Sequence, residues 1–219
     1  MHIKRTQTHN VWDRSIEPVV RIAAGDVLVV ELENASGGQL RADSDASVLA
    51  TLDFARINPV TGPIFVEGAR PGDALVVEIL ELDVEGWGWT ANIPGFGLLA
   101  DRFAEPALRI SRIADGRVEL FTGMQLPSVP MIGTIGVAPA EAGAFSVIPP
   151  TRNGGNMDIR HAGAGATMLF PVAVEGALLS LGDGHAAQGD GEVCGTAIET
   201  AALAKLRITL ERDRPLSAP

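Results

Sequence analysis

Short apolar runs with a period of two, cut by glycine and proline, constrain this chain more than any other feature. In Asp26–Glu33 the residues Leu28, Val30 and Leu32 share one face of an extended backbone, and in Ala74–Leu80 the residues Leu75, Val77 and Ile79 do the same. Each run follows a Gly-Asp pair, Gly25-Asp26 and Gly72-Asp73, where a flexible residue and a side-chain acceptor turn the chain into the strand. The same patterning predicts strands over 64–67, 108–113, 117–120, 131–137, 167–174, 177–181, 192–199 and 206–210. With 25 Gly and 14 Pro in 219 residues, regular amphipathic helices between strands are missing, which argues against βαβ winding. The expected fold class is mainly β, a sandwich or barrel-like architecture of one or two β lobes with few short helices. Helix is expected at 46–54, with Asp43, Ser44 and Asp45 as capping candidates, and in a shorter turn at 139–143.

No Pro/Ser linker or charge run divides the chain, so residues 1–219 read as one unit with a frayed, solvated tail at 212–219. A formal charge of −10 argues against nucleic acid or an anionic membrane as partner, because both are bound through basic patches. Cys194 is the single cysteine, so no intrachain disulfide forms. The N-terminus lacks an apolar stretch of signal-peptide length, and the most apolar tract, 166–181, contains Pro171, Glu175 and Gly176. A cytoplasmic location is the expectation.

The segment from Ser180 to Glu199 packs Asp183, His185, Asp190 and Glu192 between two apolar runs. Gly182, Gly184, Gly189 and Gly191 lift the Cβ restriction on backbone angles, so that carboxylates, an imidazole and the Gln188 amide can converge. These residue types are metal ligands and proton carriers. The spacing matches neither an EF-hand loop nor a His-Glu-x-x-His pair, and one cysteine makes no thiolate cluster. No Gly-x-Ser-x-Gly elbow supports a serine triad. A polar hairpin loop whose aspartates cap backbone donors accounts for the same composition.

The phrase Gly182-Asp-Gly-His-Ala-Ala-Gln-Gly-Asp-Gly-Glu-Val-Cys-Gly-Thr-Ala-Ile-Glu199 resembles the signature of the acetamidase/formamidase family. Further segments resemble that family in the same order: His9–Trp12, Asn58–Asp73, Ile93–Gly97, Met131–Pro139 and Pro149–Asp158. The resemblance spans about residues 9 to 210. Two departures stand out. Asn34 occupies a position where an aspartate is expected in many relatives, and the chain stops at Pro219, like a short or C-terminally reduced member.

The resemblance implies a hydrolase that cleaves the C–N bond of short linear amides, of the formamide or acetamide type, to carboxylate and ammonia. Asp183 and His185 are expected as metal ligands, joined by Asp158 from a neighbouring loop. Mixed oxygen and nitrogen donors suit zinc, with calcium as the alternative divalent ion. Glu192 is the first candidate for general base, with Glu199 its rival and Asp190 close by. Glu199 at a solvated strand end is an equally good account of that residue. His9 and Trp12 are expected near the pocket, His9 as ligand or substrate contact, and His161 is near enough in sequence to Asp158 to share a site. Asn153, Gly154, Gly155 and Asn156 form a loop whose free backbone donors offer a place for a tetrahedral oxyanion, or Gly155 and Asn156 simply make a tight turn. Phe96, with Trp87 and Trp89, walls a small pocket or fills a core. Cys194 in an apolar run reads as packing rather than as a nucleophile. A small amide and a second copy of the chain are the expected partners. A metal- or ligand-binding protein of the same fold that has lost turnover is the alternative.

Overall fold

A computed structural model describes residues 1–219. Two sheets carry the architecture. The first has five strands in the order His2–Ile3, Val27–Leu32, Ala202–Glu211, Ala74–Val84, Thr167–Pro171. The second runs Met124–Pro127, Arg117–Phe121, Ala107–Ala114, Trp87–Asn92, Ile198–Glu199, Leu179–Ala187, Met131–Gly136, Gly154–Asn156. Val60–Val66 also pairs with Leu179–Ala187 and carries Thr8–His9 and Val20–Ile22 on its other edge. Val11–Trp12 pairs with Phe145–Ser146 as a separate ribbon.

The expected alternation sets which face each strand buries. Leu28, Val30 and Leu32 of one strand, Leu75, Val77 and Ile79 of the next, and Leu206 and Ile208 between them are all buried. They meet Ile64, Val66, Ile132, Ile135, Leu179 and Leu181 from the second sheet in one apolar cluster, so the two sheets form a sandwich. On the outer face of the first sheet, Lys205 reaches Glu81 at 2.6 Å and Arg207 reaches Glu78 at 3.0 Å, as cross-strand polar pairs do. The chain is mainly β, as its patterning predicts.

Helix is scarcer than expected. In place of one helix over 46–54, the chain forms two 3₁₀ turns, Ala46–Thr51 and Phe54–Arg56. Asp45 and Asp53 each accept a hydrogen bond from the backbone N–H two residues on, and this repeated capping divides the segment. Residues 139–143 only bend, ending at Gly143 with φ +117°. No helix is long and apolar enough to cross a membrane.

The expected strand at 192–199 shrinks to Ile198–Glu199. Glu192 and Gly195 adopt φ of +39° and +79°, and the Gly195 N–H donates to the Glu192 carbonyl at 2.7 Å, which closes a turn instead. Conversely, the glycine-rich stretch expected as a loop begins inside a strand, since Leu179–Ala187 runs through Gly182, Asp183, Gly184 and His185. Both faces of that strand are covered, so its residues are buried without alternation. The tail begins firmly anchored: Arg212 Nη1 lies 2.7 Å from Asp73 Oδ2, and the Asp213 N–H donates to Asp73 Oδ1 at 3.1 Å.

Candidate active site

Leu179–Ala187 is the element that builds the site. Asp183 and His185 are two residues apart and point to the same side, His185 Nε2 lying 3.2 Å from Asp183 Oδ1. The strand is forced out of regular geometry at Asp183, whose φ is +62° and whose N–H donates to the Glu33 carbonyl at 2.9 Å. Glycines flank it because neighbouring backbone is too close for a side chain: a Cβ on Gly184 would sit 2.7 Å from the Thr200 carbonyl, and one on Gly182 would overlap the Pro59 carbonyl.

Glu199 enters through strand register. Its Cα pairs with that of His185, so the two side chains are direct cross-strand neighbours. Glu199 Oε2 lies 3.1 Å from His185 Nε2, and Glu199 Oε1 accepts the Ala197 N–H at 2.9 Å. The strand end is therefore buried, at 2% exposure, rather than solvated. Asp158 approaches from the segment after Gly154–Asn156, with φ +47° and Oδ1 3.9 Å from His185 Nε2.

A second ring of polar groups orients the carboxylates. Asn58 Nδ2 donates to Asp183 Oδ2 at 3.0 Å, Thr134 Oγ1 shares its one proton between that oxygen at 3.1 Å and Asn156 Oδ1 at 2.7 Å, and Asn156 Nδ2 donates to Asp158 Oδ2 at 2.9 Å. Asn58 and Thr134 are not among the site residues expected from the sequence, and Asn156 is expected there only as part of an oxyanion loop. Their signal was positional, since each lies within a segment that resembles the family.

Electrostatics set this centre apart. Burial alone lowers an imidazole pKa, but Glu199 and Asp183 beside His185 raise it well above the usual histidine range. Burial would push Asp183 up, and His185, together with hydrogen bonds to Glu199 and Thr134, more than reverses that, leaving it low. Asp158 is pushed up to about 6 by burial and by the Asp183 charge. Burial, together with Glu199 and Asp158, pushes Glu192 up to about 8, and burial also raises Glu199 to about 7.

The donor set fits a divalent cation. Ligand atoms of Asp158, Asp183 and His185 lie within 4.8 Å of one another, and so do those of His185, Glu192 and Glu199. Asp158 Oδ1 and Glu199 Oε2 are buried without hydrogen-bond partners. The latter is close to His185 Nε2 yet outside hydrogen-bond geometry. A buried acceptor left so is destabilising by about 1–3 kcal/mol, and a cation between these oxygens offsets that. One imidazole nitrogen among carboxylates matches zinc or a similar ion better than an all-oxygen shell would.

The carboxylates face a chamber of about 90 Å³. Asn58, Asn156, Asp158, Asp183, Glu192 and Glu199 form its polar end, and Leu52, Phe54, Ile57, Trp89, Phe96 and Ile148 its apolar walls. A wider groove of about 500 Å³, mostly apolar, meets the chamber at Glu192 and Thr196.

The other residues named from the sequence fall elsewhere. Asp190 is outside, its side chain 79% exposed and 3.1 Å from Arg160 Nε. His9 turns Nδ1 to the Val11 carbonyl at 2.7 Å and Nε2 to Ser180 Oγ at 2.9 Å. Trp12 is buried against Val60 and Val147. Asn153 lies on a different surface cleft with Arg152 and Pro171, and the Gly155 Cα faces the Pro149 carbonyl. These two are not at the carboxylates because Gly154–Asn156 pairs with Met131–Gly136, a register that sends Asn156 and Asp158 inward instead. His161 is exposed. Asn34 is buried beside Trp89, its Oδ1 accepting from Trp89 Nε1 at 3.1 Å while its Nδ2 donates to Glu33 Oε1 at 2.8 Å. An aspartate there would face Glu33 without that donor.

A family model described as acetamidase/formamidase matches residues 1–147 and 140–216. The chain belongs to the acetamidase/formamidase family. A formamidase of Methylophilus methylotrophus is 29% identical over 94% of this chain, and an acetamidase of Mycolicibacterium smegmatis is 30% identical over 92%. The chain spans 65% of the length of each. The crystal structure of an acetamidase from Bacillus halodurans superposes with a TM-score of 0.94 at 36% identity, covering 99% of this chain and 73% of that one. A gamma lactamase from Delftia acidovorans gives 0.89 at 26% identity, covering 94% and 64%. The matched residues run through both sheets and include the positions of the carboxylate cluster.

Proposed function

We propose that this protein hydrolyses short amides to carboxylate and ammonia with the help of a divalent cation, zinc first. The observation that carries the reading is the meeting of Asp158, Asp183 and Glu199 at the polar end of a chamber of about 90 Å³, each within 3.9 Å of His185 Nε2 through a carboxylate oxygen. Family membership, and relatives named formamidase and acetamidase, support the amide as substrate.

Asp183, His185 and Asp158 would hold the ion. When bound, it supplies a Lewis acid for the amide carbonyl oxygen and acidifies water. The rest falls to the chain. Glu199 and Glu192 line the chamber, and their carboxylates would take a proton from water and hand it to the departing nitrogen. Asn58 and Thr134 hold Asp183, so its free oxygen keeps one direction. The apolar walls exclude bulk water and leave room for only a short acyl group.

Ammonia release should be followed with formamide, acetamide, longer linear amides and a cyclic amide, before and after chelator. Loss of activity in chelator and its recovery with zinc is the expected result. Full activity in excess chelator would remove the cation from the mechanism. Zinc uptake without ammonia from any amide would favour a binding protein.

A further inference from the structure

Gln188 is half-buried just past the site strand and bridges two of the candidate ligands. Its Nε2 donates to the Asp158 carbonyl at 2.8 Å, and its Oε1 lies 2.8 Å from His185 Nδ1. The direction of this chain of contacts follows from chemistry. A backbone carbonyl only accepts, so the amide nitrogen must face Asp158. The amide oxygen must then face the imidazole, and Nδ1 must carry a proton to donate to it. The lone pair of a neutral ring is left on Nε2, the nitrogen that looks at Asp183, Glu199 and Asp158 from 3.2, 3.1 and 3.9 Å.

We infer that Gln188 is a positioning residue that locks His185 as the Nδ1–H form and ties it to the Asp158 segment, so that nitrogen and carboxylate present themselves to a divalent cation together. This rests on the cation reading above. Without Gln188 the ring can rotate or move its proton to Nε2, and Asp158, held at φ +47°, loses a tether 30 residues away in sequence.

The test uses the full chain, with zinc as the probe. Zinc-loaded wild type should show a one-bond ¹⁵N–¹H correlation at His185 Nδ1, protected from exchange, and none at Nε2, assigned against a His185→Asn variant. Gln188→Leu should lose that protection and bind zinc about 10- to 100-fold more weakly in competition with a chromophoric chelator. Gln188→Glu keeps an acceptor opposite Nδ1 and should retain the protected proton, so it stays informative where the leucine variant fails to fold. A wild-type His185 with no proton on Nδ1, or unchanged zinc affinity in Gln188→Leu, overturns the inference. Failure of wild type to take up any divalent ion would sink the cation reading alone, because the protected Nδ1 proton facing Gln188 Oε1, and its loss in Gln188→Leu, are read in the metal-free protein whether or not Nε2 is protonated as well.

Discussion

The Cα of Gly133 faces the Asp183 carboxylate so closely that a Cβ on residue 133 would lie 2.5 Å from Asp183 Oδ2 and 2.8 Å from Asp158 Oδ1. Gly133 sits in the middle of Met131–Gly136, next to the site strand, and its carbonyl accepts the N–H groups of Met157 and Asp158 at 3.0 and 3.2 Å. One small residue thus leaves space for two carboxylates and also anchors the segment that carries one of them.

Gly133→Ala should therefore displace both carboxylates while leaving the apolar sandwich intact. We expect zinc affinity and amide turnover to fall by at least about 100-fold with a modest change in melting temperature, because the methyl meets carboxylate oxygens rather than the main core. Competition binding and circular dichroism on the same sample check this. A variant with unchanged zinc affinity would contradict it.

Glu199→Gln keeps the oxygen that accepts the Ala197 N–H and removes a group that takes a proton. Turnover should drop about 10²- to 10⁴-fold while the protein remains folded. Glu192→Gln, tested beside it, assigns the larger share of proton transfer to whichever variant loses more kcat. Asp190→Asn should leave kcat within a factor of two, given its exposure.

Phe54 walls the chamber but is 51% exposed, so its removal widens the pocket without opening the core. In Phe54→Ala the ratio of kcat/KM for butyramide over formamide should rise roughly 10-fold, about 1.4 kcal/mol and within the range that one or two methylenes are worth in an apolar pocket. Steady-state kinetics on an amide series provide the measurement.

Asp73 sets a pH dependence remote from the site. Burial would raise its pKa, but the Asp213 N–H, Arg212 and the Arg70 N–H outweigh burial and hold it below the usual aspartate value. With the folded value below the unfolded one, the contribution to stability is complete above about pH 4 and fades as pH falls through the folded value. Asp73→Asn should lower the melting temperature by roughly 2–8 °C at pH 7, and the gap from wild type should close below about pH 4. Parallel melts at pH 7, 5 and 3 test the sign.

Period-two alternation in 26–33 and 74–80, and frequent glycine and proline, already specify a mainly β chain with Leu28, Val30, Leu75 and Val77 inside, because a strand's faces follow from local sequence alone. Asp183 and His185 are legible as a pair from the phrase 182–199 that resembles the family, while the strand that carries them is not. Nothing local tells Glu199 that its partner across the ladder is His185, or brings Asn58 to an aspartate 125 residues later. Strand register and the close packing at Gly133, Gly182 and Gly184 decide those contacts, so buried Glu199 read as solvated and Gly182–His185 read as loop. Alternation and motif order belong to the chain as written; the shape and charge of the carboxylate cluster arise only when distant strands pair, because a buried charge is stabilised by partners that tertiary structure alone supplies.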